Sequence, residues 1–510
     1  MTIQLRGSQM LVVGAGIMGA GIAQVAAQAG HAVLLFDARE GVAREAKAAL
    51  ETTFEGLVVK GKLTDEAAQT ILSRIEPIAA LEVATHVLLV VEAIVENLEL
   101  KRGLFQQLES LVSPQCVLAT NTSSISVTAI ANGLEHPGRL VGMHFFNPVP
   151  LMKLVEVVSG LQTDPHVAEA VFDLAKAWGK VPVRTKSTPG FIVNRIARPF
   201  YAEALALLLE QAAAPQVLDA CIRAAGFRMG PCELMDLIGH DTNFAVTSSV
   251  YEANFYDARY RPSLVQREMV DGGLLGRKSG RGFYHYQGDG AGVPPLPMAL
   301  HDAPATAREV VVHGEGSIAD ALEQAATKAL AAQGWGPARA RDSDWTGVAI
   351  DGARLVLTDG RCADELAARW GLRDVVVFDR PGVLPPPAGT ALAYATAGAA
   401  SQAWRTQAPA WLAAFGFVPL PLADAPGLVV ARTIAMLINE AADAVQQGVC
   451  SVTDADASMR LGVNYPRGPF EWLAWWNARE VVALLDALDA HYRGERYRAS
   501  PWLRRAAAPT

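Results

Sequence analysis

The chain has 510 residues, of which 51% are hydrophobic and 19% are charged, as expected of a globular protein with two to four domains. Its net charge of −8, without a basic run, argues against nucleic acid or a membrane surface as a partner, and no apolar stretch reaches the ~20 residues that span a bilayer. Five scattered cysteines form neither a disulfide framework nor a metal motif, so we expect no bound metal and a cytoplasmic location.

The first predicted element is a strand followed by a glycine-rich turn and a helix. Met10–Val13 form the strand, and the next residues match G-x-G-x-x-G through Gly14, Gly16 and Gly19. The first glycine of this motif permits a tight turn, the second lets the backbone approach a pyrophosphate, and the third allows close helix–strand packing. The helix predicted over 18–29 would direct its N-terminal amides at the phosphates. This stretch predicts a dinucleotide site rather than a glycine-rich turn without a ligand.

A second strand, predicted over 32–36, ends in Asp37. An acid at this position accepts hydrogen bonds from the ribose hydroxyls and repels a 2′-phosphate. Strand, turn, helix, strand and acid thus follow one another in the order of a nucleotide-binding unit. We therefore expect the cofactor to be NAD rather than NADP.

The next helix, predicted over 41–53 and continuing to 63, has a basic end. Lys60 and Lys62 lie there, and Thr53 precedes them by one to two turns. Such an end is either simply solvated or an anchor for a phosphorylated substrate tail. Taken alone, these residues favour the solvated helix end.

Two further strands lead into polar residues. The strand predicted over 86–91 runs into Glu92 and Glu96, and the strand over 117–119 runs into the loop 121–124. In an open α/β sheet, ligands bind outside the carboxyl ends of the strands. We therefore expect both acids on the cofactor side. The loop, with its four small polar residues, suits a site loop, a helix N-cap, or both.

Two apolar strands around a proline-bounded turn carry His144 and Glu156. A lone histidine is usually structural, but an acid among apolar neighbours needs a partner, and His144 is within topological reach. A carboxylate against an imidazole fixes the tautomer of the ring and stabilises the imidazolium formed on proton uptake. A dehydrogenase needs this arrangement to remove an alcohol proton while hydride leaves carbon for a nicotinamide.

The pattern then becomes helical, and its layout recurs near the end of the chain. Pro189–Arg195, which we expect to open a long helix through Leu209, is echoed 237 positions later by Pro426–Arg432. This is the signature of a duplicated helical domain. The copy has Ala431 where the first has Asn194, which suggests a chemical task for Asn194 and a structural role for the copy.

Between the copies, 288–304 is rich in Gly and Pro and is predicted to be a linker. A strand over 309–312 then leads into 314–319, which formally matches G-x-G-x-x-A. No acid follows at the expected distance of about 20 residues, and the first candidate after a strand is Asp351. We therefore expect a degenerate α/β remnant rather than a second nucleotide site.

Long motifs resemble those of the NAD-dependent (S)-3-hydroxyacyl-CoA dehydrogenases: GAGIMGAGIA, EAIVENLELK, NTSSIS, GMHFFNPVPLMKLVEVV and PGFIVNR. Over most of the chain, STPGFIVNRIARP, MRLGVNYP and the duplicated block are similar to the phenylacetate-catabolic 3-hydroxyadipyl-CoA dehydrogenases. The resemblance implies an α/β fold. It would contain an NAD-binding domain with a Rossmann-type parallel sheet over 1–186, an all-α domain of the 6-phosphogluconate-dehydrogenase type over 187–287, a degenerate Rossmann-like domain over 305–422 and the helical duplicate over 423–510.

The resemblance also implies roles for individual residues. His144 would be the general base and Glu156 its orienting partner, while Ser123 and Asn194 would hold the hydroxyl and thioester oxygens of the substrate. NAD would be contacted by Gly14, Gly16, Ile17, Met18, Gly19, Asp37, Glu96, Lys101 and Lys278. Coenzyme A would be contacted by Thr53, Lys60 and Ser123, although the family often has serine at the position of Thr53.

The implied reaction is oxidation of 3-hydroxyadipyl-CoA to 3-oxoadipyl-CoA in phenylacetate catabolism. A 3-hydroxybutyryl-CoA dehydrogenase and a non-catalytic NAD-binding protein are the alternatives. A terminal carboxylate on the substrate would require an arginine to bind it. The candidates, which we do not rank, are Arg195, Arg198 and Arg228. The internal copy could replace a homo-oligomer contact or coexist with one.

Overall fold

The computed structural model describes residues 3–288, 292–294, 296, 303–387 and 389–508, and the linker predicted over 288–304 lies largely outside them. The chain forms two compact units, Met1–Arg195 with Ala444–Val463 and Ile196–Asp443 with Asn464–Thr510. The units do not follow chain order, because a segment of the duplicate belongs to the first unit. The four domain boundaries given above stay predictions.

The first unit contains an eight-stranded sheet among its described residues. Its strands β1–β8 are Met10–Val13, Val33–Phe36, Ile75–Pro77, Leu89–Glu92, Val117–Thr120, Leu140–Phe145, Leu154–Ser159 and Val181–Lys186. They lie in the order β3-β2-β1-β4-β5-β6-β7-β8. Neighbours are parallel throughout except β6 and β7, which are antiparallel. The predicted Rossmann-type parallel sheet is confirmed.

The central strand β1 is continuously apolar because both of its faces are buried. Along β1, Met10 and Val12 belong to one hydrophobic cluster, whereas Leu11 and Val13 belong to another. Alternate residues of a strand point to opposite faces, so one apolar run supplies both clusters. The sheet thus holds the carboxyl ends of its strands rigidly in place.

The second unit contains a seven-stranded sheet among its described residues. Its strands β9–β15 are Val310–His313, Ala338–Ala340, Gly347–Ile350, Ala353–Leu357, Val375–Phe378, Thr390–Thr396 and Phe417–Pro421. They lie in the order β10-β9-β11-β12-β13-β14-β15. Strands β13, β14 and β15 repeat the directions of β6, β7 and β8, but β11 runs antiparallel to both of its neighbours. The reversed β11 makes this a degenerate version of the first sheet.

Helices α1–α20 of the described residues are, in chain order, Ile17–Gln28, Val42–Val59, Asp65–Ser73, Leu98–Leu111, Val127–Ala131, Pro165–Ala177, Val193–Ile196, Arg198–Leu209, Pro215–Ala224, Pro231–Ile238, His240–Ala253, Leu264–Asp271, Gly316–Leu330, Ala363–Trp370, Gln402–Ala414, Val430–Gln446, Val452–Gly462, Pro469–Trp476, Ala478–Tyr492 and Pro501–Ala507. Within the described ranges, none is both long and apolar enough to cross a membrane.

The prediction of one long helix through Leu209 is wrong, because the chain forms α7 and α8 with a break at Ala197. Pro199 has no N–H to donate to the carbonyl of residue 195, which interrupts the helical hydrogen bonds. The matching position of the duplicate is Met436, and there α16 is continuous. A single proline thus separates the short helix α7 from α8.

The helical parts of the two copies meet through a buried ion cluster in the second unit. Glu203, on α8, is fully buried and accepts hydrogen bonds from Arg432 Nε (2.6 Å), Arg496 Nη2 (2.8 Å) and the Tyr497 hydroxyl (3.0 Å). Burial opposes its ionisation, but the charges of Arg496 and Arg432 outweigh burial and hold the pKa of the Glu203 carboxyl below its ordinary value. The first copy thus supplies the acidic residue, and the second copy supplies the two arginines and the tyrosine that donate hydrogen bonds to it.

An equivalent cluster forms elsewhere in the second unit, and there the second copy supplies the glutamate and the first copy supplies the arginine and the tyrosine. Glu440, 237 positions after Glu203, is fully buried and accepts hydrogen bonds from Arg259 Nη1 (3.3 Å) and the Tyr260 hydroxyl (2.5 Å). Arg259 and Tyr260 in turn precede the arginine–tyrosine pair of the first cluster by 237 positions. Glu203 of the first copy binds Arg496 of the second, and the equivalent Glu440 of the second copy binds the equivalent Arg259 of the first. Such a reciprocal pair of contacts is found at a two-fold dimer interface.

We expect Glu203→Gln to lower the free energy of unfolding by about 3–5 kcal/mol, because it leaves buried arginines without a counter-charge. Urea denaturation at pH 7 measures this loss. Since the pKa of Glu203 is lowered by folding, its stabilisation is present above the unfolded-state pKa and is lost as pH falls through the lower folded value. The variant should therefore be less sensitive to acid than the wild type.

The matched control is Asp271→Asn, which removes an exposed ion pair with Arg267 in the same unit. Exposed pairs contribute about 0–1 kcal/mol. An equal effect of the two substitutions would contradict a stabilising role for the buried cluster.

Candidate active site

The acid and imidazole that were expected to pair lie directly opposite each other in the first sheet. His144 is on β6 and Glu156 on β7, and the antiparallel register matches them. His144 Nδ1 is 2.6 Å from Glu156 Oε2, with the histidine 5% exposed and the glutamate fully buried. A carboxylate oxygen accepts hydrogen bonds, so this contact suits a ring that carries its proton on Nδ1 and leaves Nε2 as the basic nitrogen.

Glu156 also anchors the turn that carries Asn194. Its Oε1 atom accepts hydrogen bonds from the amides of Ile192 and Val193, each at 3.0 Å. These residues immediately precede Asn194, which is half-buried in α7. One buried carboxylate therefore fixes both the imidazole and the turn that presents Asn194.

Aromatic residues surround His144, and one of them has a strained backbone. The ring centroid of Phe146 lies 4.6 Å from that of His144, and the centroid of Phe191 lies 5.8 Å away. Phe191 has a left-handed φ of 49°, and Leu428, its match in the duplicate, has a φ of 50°. A non-glycine residue adopts this conformation only where its surroundings impose it. Because both copies keep it, the strain belongs to the turn itself, which directs the following amides at a carboxylate.

Glu96 organises the loop that contains Ser123. Its Oε1 atom accepts hydrogen bonds from the Thr122 hydroxyl (2.6 Å) and from the amides of Ser123 (2.9 Å) and Ser124 (3.0 Å). Burial opposes ionisation of Glu96, but the Thr122 hydroxyl and the Lys101 ammonium outweigh it, so the pKa of this carboxyl lies below its ordinary value. Glu96 is therefore a charged centre that holds the loop in shape.

The same loop is tied to the strand that carries the imidazole. Asn121 Oδ1 accepts a hydrogen bond of 2.9 Å from the amide of Phe145, the residue after His144. Ser123 lies two positions further along and is half-buried. No helix begins within the loop, because α5 has its N-cap at Ser126, and the role of the loop in the site stays a prediction.

Lys101 lies beneath this loop rather than on the surface. It is 1% exposed, and its Nζ atom is 2.5 Å from Glu92 Oε1 and 3.3 Å from Glu96 Oε2. Glu92, also buried, accepts a further hydrogen bond from Thr120 Oγ1 at 2.6 Å. The contact of Lys101 with NAD stays a prediction, and we infer that this lysine acts by holding Glu96 in place.

A cavity of about 1070 Å³ opens where β1 and β4 end. Residues that line it include Gly14, Gly16, Ile17, Met18 and Asp37. A Cβ on Gly14 would lie 2.5 Å from the Ala93 carbonyl oxygen, and one on Gly19 would lie 1.7 Å from that of Gly14, whereas the space around Gly16 is open. Gly14 and Gly19 are thus needed for the turn and the packing, and Gly16 leaves backbone accessible. The volume and this bare backbone fit a dinucleotide.

Asp37 lines this cavity and forms an ion pair with Arg39, which the sequence analysis did not predict. Its Oδ2 atom accepts from the amide of Ala15 (2.9 Å), and its Oδ1 atom accepts from both the amide and Nε of Arg39 (3.0 Å each). The bond from Arg39 lowers the pKa of the Asp37 carboxyl to about 2. Asp37 is therefore ionised at neutral pH and neutralises the cation that would otherwise attract a 2′-phosphate.

Three other predicted contact residues lie on exposed surfaces. Thr53 and Lys60 are exposed at the end of α2, seven residues apart and therefore on one face of the helix. Lys278 belongs to the second unit, where it forms an ion pair with Asp241. The contacts of Thr53 and Lys60 with coenzyme A, and of Lys278 with NAD, stay predictions.

The duplicate does not repeat the acid–imidazole pair. The amide of Asp379, the residue after β13, donates to the carbonyl of Ala393 on β14 (2.9 Å), so these two residues lie opposite each other as His144 and Glu156 do in the first sheet. Asp379 binds the amides of 429–431 at 2.7–3.0 Å, as Glu156 binds its own turn. The duplicate keeps the anchor of the turn and lacks the imidazole.

The glycine turn of the duplicate has lost its acid as well. Gly314 donates its N–H to the Ala340 carbonyl (3.0 Å), just as Gly14 donates to that of Phe36 (2.8 Å). The residue after Ala340 is Arg341, which therefore takes the position of the acid that follows Phe36. In addition, no group of three or more His, Cys, Asp or Glu within the described ranges is placed to hold a metal ion.

Family models match most of the chain. The model for the 3-hydroxyacyl-CoA dehydrogenase NAD binding domain matches residues 9–188, and the model for the C-terminal domain of the same enzymes matches both 190–286 and 427–509. The two matches of one model confirm the duplication. A model for the reduced Rossmann-fold domain of 3-hydroxybutyryl-CoA dehydrogenase matches 355–426.

Two relatives and one solved structure are informative. A 3-hydroxyadipyl-CoA dehydrogenase of Escherichia coli is 44% identical over 497 residues, covering 97% of this chain and 96% of the relative. A 3-hydroxybutyryl-CoA dehydrogenase of Clostridioides difficile is 39% identical over 279 residues, covering 54% of this chain and 99% of the relative. A crystal structure described as 3-hydroxybutyryl-CoA dehydrogenase from Escherichia coli K12 has a TM-score of 0.87 at 43% identity and covers 99% of this chain and 98% of its own.

We expect Asp37→Ala to weaken NAD binding by roughly 10- to 100-fold, because hydrogen bonds to a charged group contribute about 1.5–3 kcal/mol. The same change frees Arg39, so NADP binding should improve. Titration calorimetry with both cofactors measures the two effects. In the double variant that also carries Arg39→Ala, the gain for NADP should disappear, and an unchanged cofactor preference in Asp37→Ala would rule out this role of Asp37.

Proposed function

The chain belongs to the 3-hydroxyacyl-CoA dehydrogenase family and uses NAD, and on that premise we propose that it oxidises 3-hydroxyadipyl-CoA to 3-oxoadipyl-CoA in phenylacetate catabolism. The observation that carries this proposal is likeness over nearly the whole length, including the duplicate, to a relative named for that substrate. The relative from Clostridioides difficile, named for 3-hydroxybutyryl-CoA, matches only 54% of this chain. The alternative, 3-hydroxybutyryl-CoA, is supported by the description of the similar full-length crystal structure.

In the proposed reaction His144 removes the hydroxyl proton of the substrate. Nδ1 is bonded to Glu156, which leaves Nε2 to accept that proton as the carbonyl forms at C3. Bound NAD supplies the acceptor for the hydride that leaves C3. Glu156 keeps the ring in one tautomer and stabilises the imidazolium that results. Every proton and electron pair that leaves the substrate thus has a defined acceptor.

Ser123 and Asn194 are proposed to hold the substrate's hydroxyl and thioester oxygens. Support comes from their attachment to the acid–imidazole pair: Ser123 lies in the loop bonded to the residue after His144, and Asn194 follows the amides bound by Glu156. A non-catalytic nucleotide sensor would need the glycine turn but none of these residues. Their retention together argues for an enzyme.

Around this centre we propose NAD contacts from the glycine turn, Asp37, Glu96, Lys101 and Lys278, and coenzyme A contacts from Thr53, Lys60 and Ser123. For the terminal carboxylate of the substrate, Arg195, Arg198 and Arg228 remain the candidates. Of these, Arg228 is exposed, and Arg195 and Arg198 are buried. We also propose a cytoplasmic location, which agrees with five cysteines that are all free thiols.

His144→Ala should lower kcat by roughly 10²–10⁴, the range for loss of a general base. Glu156→Gln should also lower kcat, because an amide can no longer stabilise an imidazolium by charge. NADH formation at 340 nm measures both, with circular dichroism to verify the fold. Near-normal turnover of a folded His144→Ala variant would exclude the imidazole as the base.

Steady-state assays should give a higher kcat/KM for 3-hydroxyadipyl-CoA than for 3-hydroxybutyryl-CoA, by about tenfold or more if a buried charge pairs with the terminal carboxylate. A preference for the butyryl substrate would support the alternative. If neither compound, nor any other 3-hydroxyacyl-CoA, gives NADH, the proposed function is wrong.

A further inference from the structure

We propose that the duplicated helical domain supplies a positioning residue, Gln447, to the catalytic part of the chain. Residues 444–463 come from the duplicate, yet they belong to the same compact unit as His144 and Glu156. This inference rests on the proposed role of Asn194 in holding the substrate. It gives the duplicate a task in the reaction in addition to the burial of apolar surface.

The end of α17 is packed directly against the turn that presents Asn194. α17 packs on β7 and β8, and β7 carries Glu156. A Cβ on Gly462 would lie 2.7 Å from Leu154 Cδ2 and 3.0 Å from Val193 Cγ2. Val193 is the residue before Asn194, and its amide is bound by Glu156. The absence of a side chain at Gly462 is therefore what permits this close approach.

Gln447 holds the other side of the same turn. Its Oε1 atom accepts a hydrogen bond of 2.8 Å from Nη1 of Arg195, a buried residue that follows Asn194 directly. A backbone bond from Lys186 N to Val449 O (3.0 Å) ties the loop after α16 to the end of β8. Asn194 thus lies between a residue fixed by Glu156 and a residue fixed by Gln447.

The second unit repeats these contacts around the equivalent turn of the duplicate, which has Ala431 in place of Asn194. Ala423 N donates to Ala212 O at 3.0 Å, which matches the bond between Lys186 and Val449 after a shift of 237 positions. Arg432 likewise contacts Glu210 at 3.3 Å, where the catalytic part has Arg195 and Gln447. Ala431 precedes Arg432, so the repeated contact supports no polar group. The chain therefore contains its own control for a purely structural effect.

The test compares Gln447→Ala with Gln447→Glu in the full chain. We expect kcat of Gln447→Ala with 3-hydroxyadipyl-CoA to fall about tenfold, because small displacements of a substrate-holding group are costly to the rate. KM for NAD and Tm should stay at the wild-type values, since the cofactor crevice is built from other elements. Gln447→Glu keeps an acceptor oxygen for Arg195 and should restore most of kcat.

The matched control is Glu210→Ala, which breaks the equivalent contact at Arg432. We expect this variant to lower Tm and to leave kcat unchanged. Wild-type kcat in Gln447→Ala, an equal loss of kcat in both alanine variants, or no recovery in Gln447→Glu would overturn the inference. Wild-type turnover of each acyl-CoA, measured first, tests the proposed function, and the ratio of variant to wild type tests the inference.

Discussion

The buried carboxylate of Glu156 is the constraint on which the site depends. One oxygen binds the imidazole of His144, and the other binds the amides of Ile192 and Val193. A buried acid without such partners would be costly, so the sheet and the turn must both form before the charge is satisfied. The proton-accepting ring and the turn of Asn194 are therefore positioned by one group, and neither can shift without disturbing the other.

Much of this site could be predicted from the sequence because its signals are local. The glycine turn, Asp37 and the lone acid in an apolar strand can each be recognised from residue type and spacing. The parts that were missed depend on which way individual side chains turn within short stretches of chain. Arg39 binding Asp37 and Lys101 lying between two acids are matters of side-chain direction, which periodicity does not report. The break before α8 was visible in principle, since Pro199 cannot continue a helix.

The duplication could be read from the sequence, but its consequence could not. A shift of 237 positions relates Glu203 to Glu440. This spacing does not predict that each glutamate binds an arginine of the other copy. Such exchange of partners is a property of two-fold interfaces, where one patch serves both sides. The chain has this interface within itself, so the relevant contacts form whenever the single chain folds, independently of protein concentration.

The second sheet shows which part of the design is structural and which is chemical. Asp379, which follows β13, binds the amides of its turn from the position that corresponds to His144 in the first copy, and Ala393 stands at the position of Glu156. Burial raises the pKa of the Asp379 carboxyl to about 6, while hydrogen bonds from the amides of Arg380 and 429–431 act against that shift. Both copies therefore bind the amides of this turn with a buried carboxylate. In the first copy one carboxylate has two tasks, because Glu156 binds both the imidazole of His144 and the amides of its turn, whereas in the duplicate Asp379 binds the turn and Ala393 stands at the position of Glu156.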